Sequence, residues 1–586
     1  MDQHTLSNYS EVFTQHLKLK LNVLFEEKKI IGTAIHEIKN LSRAANFVLD
    51  TADLNIQSVE IDGLPCYNYS MGIEVLHLGK ALIIPIQADS SEVKILYETR
   101  PDAAGIQWLD PQQTEGKNHP MVYTQSQAIL ARTWIPCQDT PASKITWEAE
   151  VSSDKNLEVV MSGKRKKPTG HIGAYNFRMT NKVASYLISM CIGNLAYTQL
   201  SNRCGVYAEP EIIDAAVSEF SDMDTMLDSA QMLYGDYRWE TFDVLVLPYS
   251  FPFGGMENPM LTFLTPTLIA GDQSLTNVVA HELAHAWSGN LITNKTWNDF
   301  WLNEGFTVYF ERRIIEQSEG AQAASLHAYL GYQDLIDDLS NLSSKPDDTK
   351  LLLNLAGRDP DDGMTHIAYE KGFFLLIAIE KELGRTDWDQ FMKDYFSHFA
   401  CQSISTSEFR TYLLDQVPVS KLGLIQTILD EWIDQPGLPS DFEAPCSELY
   451  DDVQSFMQTW ARNQTVDFTA TSGWSWIQKV LFLNGLDEGI SDNEMSELYS
   501  GLQIDTTQNS EILFAWYKLV IQNNYTTQQD EMEAFIIKVG RRKFVEPLYK
   551  LLIETRDGKL LAQEIFAKAK DGYHSITRKT VEAILQ

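Results

Sequence analysis

The stretch VVAHELAHAW, residues 278–287, contains the pattern His-Glu-x-x-His. Residues four positions apart share one face of an α-helix, so His281 and His285 can direct two imidazole nitrogens at a single metal ion. The apolar residues of the stretch predict a buried helix, for which Ser274 is a candidate N-cap. The chain must therefore fold so that another segment closes over this helix and completes the ligand set.

The third ligand is predicted from the segment WLNEG, which contains Glu304. A catalytic zinc site has three protein ligands and an open position for water. The distance from His285 to Glu304 leaves room for a turn and a returning helix, and residues 306–313 have the composition of such a helix. The bare motif also occurs by chance, but a glutamate on a second helix at this distance indicates a catalytic zinc site.

Length and charge limit the protein class. At 586 residues the chain exceeds one compact core, and three or four domains are expected. Its 44% hydrophobic and 22% charged residues are typical of a soluble globular protein. The net charge of −33 argues against nucleic acid and membranes as partners, because nucleic acid and anionic membranes both require a positive surface.

The cellular location is predicted to be the cytoplasm. The first residues, MDQH, lack the basic and then apolar pattern of a signal peptide. The apolar run at residues 372–379 is too short to span a bilayer and is typical of a buried helix. The six cysteines are scattered without a C-x-x-C pair, which favours reduced thiols over a disulfide framework.

The pattern along the chain predicts four segments. Residues 1–195 contain alternating apolar and polar runs, as in LKLKLNV, and are predicted to form a β domain. Residues 196–435 mix strand and helix patterns and contain the metal motif. Residues 436–445 begin with PGLP and are predicted to be a linker. Residues 446–586 are dominated by short amphipathic helices, which predict an all-α domain of the solenoid type.

Further residues are candidates for substrate binding, although each has a simpler interpretation. Gly254 and Gly255 precede a predicted strand and permit close approach of a ligand to the backbone. Glu257 is a candidate substrate anchor because it precedes the metal helix; alone it would be a solvated turn residue. Taken alone, Tyr369 is more typical of helix packing, and the basic cluster at 541–543 of an exposed helix end.

Together these motifs resemble those of the zinc aminopeptidases of the aminopeptidase-N superfamily, the gluzincins. The resemblance is strongest to leukotriene-A-four hydrolase and its bacterial aminopeptidase relatives, and it covers essentially the whole chain. It rests on GGMEN at 254–258, HELAH followed by WSGN at 281–290, NKTW at 294–297 and WLNEGFTVY at 301–309, with further similarity at 136–141, 266–271, 369–372 and 540–544.

The resemblance implies an α+β multidomain fold. Members of this family have an N-terminal β saddle, a thermolysin-like mixed catalytic domain and a C-terminal all-α superhelical domain. It also implies one zinc ion per chain, with His281, His285 and Glu304 as ligands. Glu282 would be the general base and Tyr369 the stabiliser of the oxyanion.

The same resemblance implies how a short peptide substrate is held. Glu257 would accept the free amino group of the substrate. Gly254, Gly255 and Met256 would line the extended peptide backbone. Gln125 and Gln127 would lie near the first substrate residue. Arg541 and Lys543 would bind the terminal carboxylate. Asp361 matches a residue that the family uses in epoxide chemistry.

Two departures from the mammalian pattern affect the predicted substrate. Phe253 stands where the mammalian hydrolase has tyrosine, and residues 362–364 differ from its aromatic-containing segment. We therefore predict a zinc aminopeptidase acting on short peptides. A lipid epoxide hydrolase and a zinc-bearing non-catalytic scaffold are the alternatives. The preferred first residue, the peptide pool, the oligomeric state and the temperature adaptation do not follow from the sequence.

Overall fold

A computed structural model describes residues 2–166, 174–463, 466–486 and 488–586. Within these residues the predicted α+β order is confirmed: a β-rich N-terminal region, a mixed central region and a helical C-terminal region. The predicted domain boundaries remain predictions. Residues 167–173 of the predicted β domain lie outside the described residues.

The N-terminal region is built from three sheets. The largest has the order β13-β14-β11-β1-β2-β8-β4-β5, and the smaller two are β12-β15-β10-β9 and β3-β7-β6. Strands β1 and β11 pair in parallel, whereas the remaining neighbours are antiparallel. The strands are β1 (Val12–Leu24), β2 (Lys29–Asn40), β3 (Asn46–Thr51), β4 (Asn55–Ile61), β5 (Leu64–Cys66), β6 (Ser70–Met71), β7 (Lys80–Pro85), β8 (Glu92–Glu98), β9 (Ile106–Leu109), β10 (Met121–Thr124), β11 (Lys144–Ser153), β12 (Glu158–Met161), β13 (Lys164–Lys166), β14 (Ala174–Ala184) and β15 (Met190–Gly193).

Strand β1 shows why this region folds as sheets. Leu17, Leu19 and Leu21 are buried, while the lysines between them point away from the core. This alternation is the one predicted from the sequence, because successive side chains of a strand face opposite sides of its sheet. Strand β10 leads into Gln125 and Gln127, whose side-chain amides contact Met256 and Glu257 of the central region.

The central region combines a mixed sheet, ordered β16-β17-β18-β20-β19, with packed helices. Between α5 and α6, a π-helical turn spans Ile367–Lys371. The strands are β16 (Ala196–Gln199), β17 (Cys204–Ala208), β18 (Phe242–Val246), β19 (Gly255–Met256), β20 (Thr262–Leu264), β21 (Ile292–Asn294) and β22 (Gln402–Ile404); the helices are α1 (Ile213–Glu219), α2 (Met223–Tyr234), α3 (Asn277–Ala284), α4 (Trp301–Glu319), α5 (Ala321–Asn341), α6 (Gly372–Leu383), α7 (Arg385–His398), α8 (Thr406–Gln416) and α9 (Leu422–Asp434).

The C-terminal region has its own hydrophobic core. Alternate helices contact one another, α11 with α13, α13 with α15 and α15 with α17, as in a two-layered helical array. The helices are α10 (Glu448–Asn463), α11 (Trp476–Asn484), α12 (Asp492–Gly501), α13 (Ser510–Gln522), α14 (Gln529–Lys538), α15 (Arg542–Leu552), α16 (Arg556–Ala569) and α17 (Ser575–Leu585). Across the described part of the chain, no helix is long and apolar enough to cross a membrane.

The prediction for the start of the metal helix was wrong. Helix α3 begins at Asn277 with Thr276 in the N-cap position, and Ser274 does not cap it. The Ser274 hydroxyl instead accepts a hydrogen bond of 2.9 Å from the side chain of Asn509, in the C-terminal region. A tertiary contact between distant segments therefore replaces the expected local cap.

Candidate metal centre and substrate-binding site

Helices α3 and α4 pack together and bring three ligand atoms to one point. His281 lies on α3, His285 directly follows its last residue, and Glu304 lies in the first turn of α4. The Nε2 atoms of the two histidines are 3.2 Å apart. Glu304 Oε2 lies 3.3 Å from His281 Nε2 and 3.5 Å from His285 Nε2. The predicted ligand set therefore converges.

The three donor atoms have the spacing that zinc requires. With zinc–ligand bonds of about 2.0–2.2 Å, the donors of a tetrahedral site are separated by about 3.3–3.6 Å. The three observed separations fall in or next to that range. Within the described residues, the buried Glu304 Oε2 has no hydrogen-bond partner. An unpaired carboxylate oxygen facing two imidazole nitrogens fits a bound cation, since buried charges are costly unless paired.

A second layer of contacts orients the two imidazole rings. His281 Nδ1 lies 3.0 Å from Oε2 of Glu311, on α4. His285 Nδ1 lies 2.9 Å from the Ser288 carbonyl oxygen and 3.1 Å from the Thr307 hydroxyl. These partners fix the tautomer that leaves Nε2 free for a metal. Glu311 was not predicted from the sequence, although its position two helical turns after Glu304 is a usable signal.

Glu282 is buried beside the ligands and has no structural partner for one of its oxygens. Among the described residues, Oε2 of Glu282 makes no hydrogen bond. Burial raises the pKa of this carboxyl well above its usual range, with a further contribution from Glu257. Ligand atoms of Glu257, Glu282 and His285 lie within 4.8 Å of one another. A carboxyl group in this position can exchange a proton with a reactant held at the metal site.

The double glycine forms the edge of the mixed sheet. Gly255 and Met256 constitute β19, which pairs only with β20 within the described structure and so leaves one edge free. A Cβ atom on Gly255 would overlap the carboxylate of Glu282. The absence of a side chain therefore lets the Glu282 carboxyl group lie directly against the strand. A free edge beside the metal ligands can bind an extended peptide through main-chain hydrogen bonds.

Glu257 is buried at the end of this edge strand. Its Oε1 accepts hydrogen bonds of 3.4 Å from Gln127 Nε2 and from the Tyr186 hydroxyl. Asn290 donates a 2.7 Å hydrogen bond to its backbone carbonyl. Burial, together with the nearby charge of Glu304, raises the pKa of Glu257 to about 8. The contacts of Tyr186 and Asn290 with Glu257 had not been predicted, and no local pattern marks Tyr186.

The other predicted amide, Gln125, faces Met256. Its Nε2 lies 3.2 Å from the Met256 sulfur, and its buried Oε1 has no partner among the described residues. Together, Gln125 and Met256 form a surface beside Glu257 against which the first side chain of a peptide could pack. The structure thus brings the whole predicted group of glycines, amides and Glu257 to one side of the metal ligands.

Tyr369 approaches the candidate metal ligands from the turn between α5 and α6. It lies in the π-helical turn, and its ring stacks on His281 at a centroid distance of 6.2 Å. Phe300 supports the ring edge to face at 6.0 Å. Burial and the charges of Glu304 and Glu257 raise the pKa of the hydroxyl well above its usual range. Tyr369 therefore stays protonated and can act as a hydrogen-bond donor.

Arg541 and Lys543 reach the site from the C-terminal region. A Cβ atom on Gly254 would lie 2.8 Å from Arg541 Nη2, so the buried guanidinium lies directly beside the edge strand. Both cations share Glu511: Oε1 is 2.9 Å from Lys543 Nζ and 3.5 Å from Arg541 Nη1. Arg541 is buried, whereas the Lys543 side chain is 44% exposed.

Asp361 lies next to the Gln127 loop rather than among the metal ligands. Burial and the neighbouring Asp359 raise the pKa of Asp361 to about 7, against the opposing effects of Arg542 and the Ala128 amide. The structure therefore places Asp361 near the backbone of Ala128, which follows Gln127, and Gln127 in turn contacts Glu257.

The chain is similar to known proteins along most of its length. The peptidase family M1 domain matches residues 220–432, the peptidase M1 N-terminal domain matches 13–187, and the leukotriene A4 hydrolase C-terminal domain matches 474–585. Leucine aminopeptidase 2 of Yarrowia lipolytica is 36% identical, with 100% of this chain and 93% of the relative covered.

Solved structures also match. Yeast LTA4 hydrolase in complex with bestatin has a TM-score of 0.94 at 34% identity, covering 100% of this chain and 97% of that one. An M1 zinc metallopeptidase from Deinococcus radiodurans has a TM-score of 0.60 at 21% identity, covering 75% and 96%. The latter likeness concerns the fold alone.

Proposed function

The chain belongs to peptidase family M1 and is an aminopeptidase, and we propose that it removes the N-terminal residue from short peptides at the site around His281, His285 and Glu304. Two imidazoles and one carboxylate that converge on one point are the donor set of a catalytic zinc site, which supports zinc as the cofactor. We propose that these three residues hold one zinc ion per chain. When bound, zinc would supply a Lewis acid and a water of lowered pKa.

The single observation that carries the exopeptidase assignment is the short distance between Glu257, the proposed binding group for the substrate ammonium, and Glu282, the proposed general base. Polar atoms of Glu257 and Glu282 lie within 4.8 Å of each other and of His285. In a peptide, the terminal nitrogen and the first carbonyl carbon are only about 2.5 Å apart, given bond lengths near 1.5 Å. An ammonium group held by Glu257 therefore presents the first peptide bond, and no later one, to Glu282.

The chain's own residues then divide the work of hydrolysis. Glu282 takes a proton from the attacking water and delivers it to the departing amine. The Tyr369 hydroxyl donates a hydrogen bond to the oxyanion that forms on the former carbonyl, a contribution of about 3 kcal/mol. Gly254 and Gly255 bind the substrate backbone along the free edge of β19. This arrangement keeps the reacting carbonyl between the base and the hydrogen-bond donor.

The C-terminal end of a short substrate is assigned to the two cationic side chains, Arg541 and Lys543. Arg541 lies beside Gly254, and Lys543 lies nearer the solvent; both are oriented by Glu511. A terminal carboxylate would form charge-assisted hydrogen bonds with them. Gln125 and Gln127 would contact the first residue. These assignments favour short peptides with both ends free.

A second activity, hydrolysis of a lipid epoxide, is supported by two of the likenesses above, to the leukotriene A4 hydrolase C-terminal domain and to yeast LTA4 hydrolase. The C-terminal region matches the leukotriene A4 hydrolase C-terminal domain, and Asp361 lies beside the Gln127 loop. Phe253 stands where the mammalian hydrolase has tyrosine, and this difference favours peptidase activity over epoxide hydrolysis. Incubation with the epoxide and analysis of the diol product distinguish a bifunctional enzyme from a peptidase alone.

A panel of aminoacyl anilides tests the proposed function. We expect release of the anilide by the purified protein, loss of the activity with a chelator and its recovery with zinc. N-acetylated versions of the same compounds should not be cleaved. Cleavage of blocked and free substrates at equal rates would indicate an endopeptidase. The cytoplasmic location remains a prediction that cell fractionation would test.

A further inference from the structure

The turn that carries Tyr369 is enclosed by glycines from three different helices. Gly305 lies on α4, directly after Glu304. Gly331 lies on α5, and Gly372 is the first residue of α6, three positions after Tyr369. Glycine destabilises a helix interior relative to alanine. The presence of three glycines around one turn therefore indicates that the packing requires them.

Gly305 and Gly372 allow two helix backbones to touch. A Cβ atom on Gly305 would lie 2.8 Å from the Gly372 Cα and 3.1 Å from the Ala368 carbonyl oxygen. Conversely, a Cβ on Gly372 would lie 2.8 Å from the Gly305 Cα. Because backbone atoms occupy these positions, a methyl group could be accommodated only if the helices moved apart.

Gly331 makes a second close approach, to an ion pair that belongs to the same turn. Arg312 on α4 donates a 2.7 Å hydrogen bond to Glu370, the residue after Tyr369. A Cβ on Gly331 would overlap both the Arg312 guanidinium and the Glu370 carboxylate. Both partners are largely buried, so neither can swing into solvent to make room.

One helix, α4, therefore determines the positions of both Glu304 and the turn that carries Tyr369. Helix α4 supplies Glu304 to the ligand set and holds the Tyr369 turn through Gly305 and Arg312. Contacts between backbones cannot relax by rotating a side chain, so they transmit the position of α4 directly to the turn. A turn of the π type is also a local departure from regular helix that neighbouring elements must stabilise.

We propose that Gly331 and Gly372 are positioning residues for the reaction. They set the distance between the Tyr369 hydroxyl and the proposed zinc ion, for which Glu304 is a ligand. This inference rests on the proposed function. It assigns a kinetic role to two residues that do not touch the substrate. A displacement of about 1 Å in such a site can cost about 100-fold in rate.

The test is Gly372→Ala, compared with Gly423→Ala as a matched control. Gly423 also lies in a helix, α9, but a Cβ there meets no atom within 4 Å. We expect kcat on an aminoacyl anilide to fall about 10- to 100-fold in Gly372→Ala. The KM and the zinc content should stay close to wild type, whereas the thermal unfolding temperature should fall, because the added methyl group forces α4 and α6 apart. The control should match wild type throughout.

A double-mutant cycle separates positioning from general damage. Tyr369→Phe removes the hydroxyl, so adding Gly372→Ala to it should reduce kcat no further. Additive losses, or an unchanged kcat in Gly372→Ala, would overturn the proposal. If Gly372→Ala does not fold, Gly331→Ala replaces it, since its clash leaves the backbone contact between Gly305 and Gly372 in place, and the same criteria apply. A wild-type protein inactive on every anilide would instead contradict the proposed function.

Discussion

The Nδ1 atom of His281 lies 3.0 Å from the Oε2 atom of Glu311, and Glu311 is two helical turns from Glu304 on the same helix. One helix thus provides both a candidate ligand and the group that orients another ligand. The other carboxylate oxygen of Glu311 accepts a hydrogen bond of 3.2 Å from the side chain of Asn277, at the start of α3. This contact ties the two helices together at the metal site.

Glu311→Gln should weaken zinc binding. An amide cannot stabilise the imidazole as a carboxylate does, and loss of such a partner typically costs about 10- to 100-fold in metal affinity. Competition with a chromogenic chelator measures the affinity of wild type and variant. Equal zinc affinities would show that the contact with His281 is structural only.

Glu282→Gln should keep zinc and lose turnover. The side chain keeps its size but cannot accept a proton, and general-base catalysis is worth about 100- to 10,000-fold. Metal analysis and anilide hydrolysis are measured on the same preparation. Full activity with a full zinc complement would refute the assignment of Glu282 as the base.

Glu257→Gln should remove the preference for a free amino terminus. A buried ammonium without its carboxylate partner costs about 2–5 kcal/mol, or roughly 30- to 5,000-fold in kcat/KM. Wild type and variant are compared on an aminoacyl anilide and on its N-acetylated form. The anchor assignment fails if the ratio between the two substrates is the same in both proteins.

Arg541→Ala should weaken the binding of tripeptides more than that of their C-terminal amides, because only the free carboxylate pairs with the guanidinium. Lys543→Ala should act in the same direction but less, since Lys543 is more exposed. Lys550→Ala is the matched control: this lysine lies on the same helix and pairs with Glu546. The measurement is the inhibition constant of each tripeptide and of its C-terminal amide. If Arg541→Ala weakens the binding of both forms equally, Arg541 has a structural role and does not bind the carboxylate.

His36 should make the N-terminal region sensitive to acid. Its Nε2 donates to the Pro136 carbonyl and its Nδ1 accepts from Thr14, at 3.0 Å each, so the ring is neutral. Burial lowers the pKa of His36 from 6.5 to about 4. The unfolded chain therefore binds a proton first as the pH falls, and up to about 3 kcal/mol of stability is lost between pH 6.5 and 4.

Thermal unfolding of His36→Gln provides the comparison. The variant should be less stable than wild type near pH 7.5, where the neutral ring makes both hydrogen bonds. Between pH 6.5 and 4 it should lose less stability than wild type, since glutamine does not titrate. Parallel curves for the two proteins over this range would contradict the prediction.

The sequence by itself determined the features that repeat along the chain. The spacing of His281 and His285 follows from the helical period, and the alternation of leucines in β1 follows from the geometry of a strand. Together with a glutamate at a suitable distance, the histidine spacing predicted the candidate ligand set, and the alternation predicted strands in the N-terminal region; the complete fold class was implied by the family resemblance. The Ser274 cap failed because local cap preference was outweighed by a contact with Asn509.

Only the tertiary structure decided which distant residues meet at the site. Tyr186 and Asn290 contact Glu257 from two different segments, and Arg541 lies beside Gly254 although the two are far apart in sequence. The backbone contact of Gly305 with Gly372 likewise depends on how α4 and α6 cross. Such relationships leave no period in the chain, because they arise when helices and sheets pack, and that packing is set by the sum of many contacts rather than by any one segment.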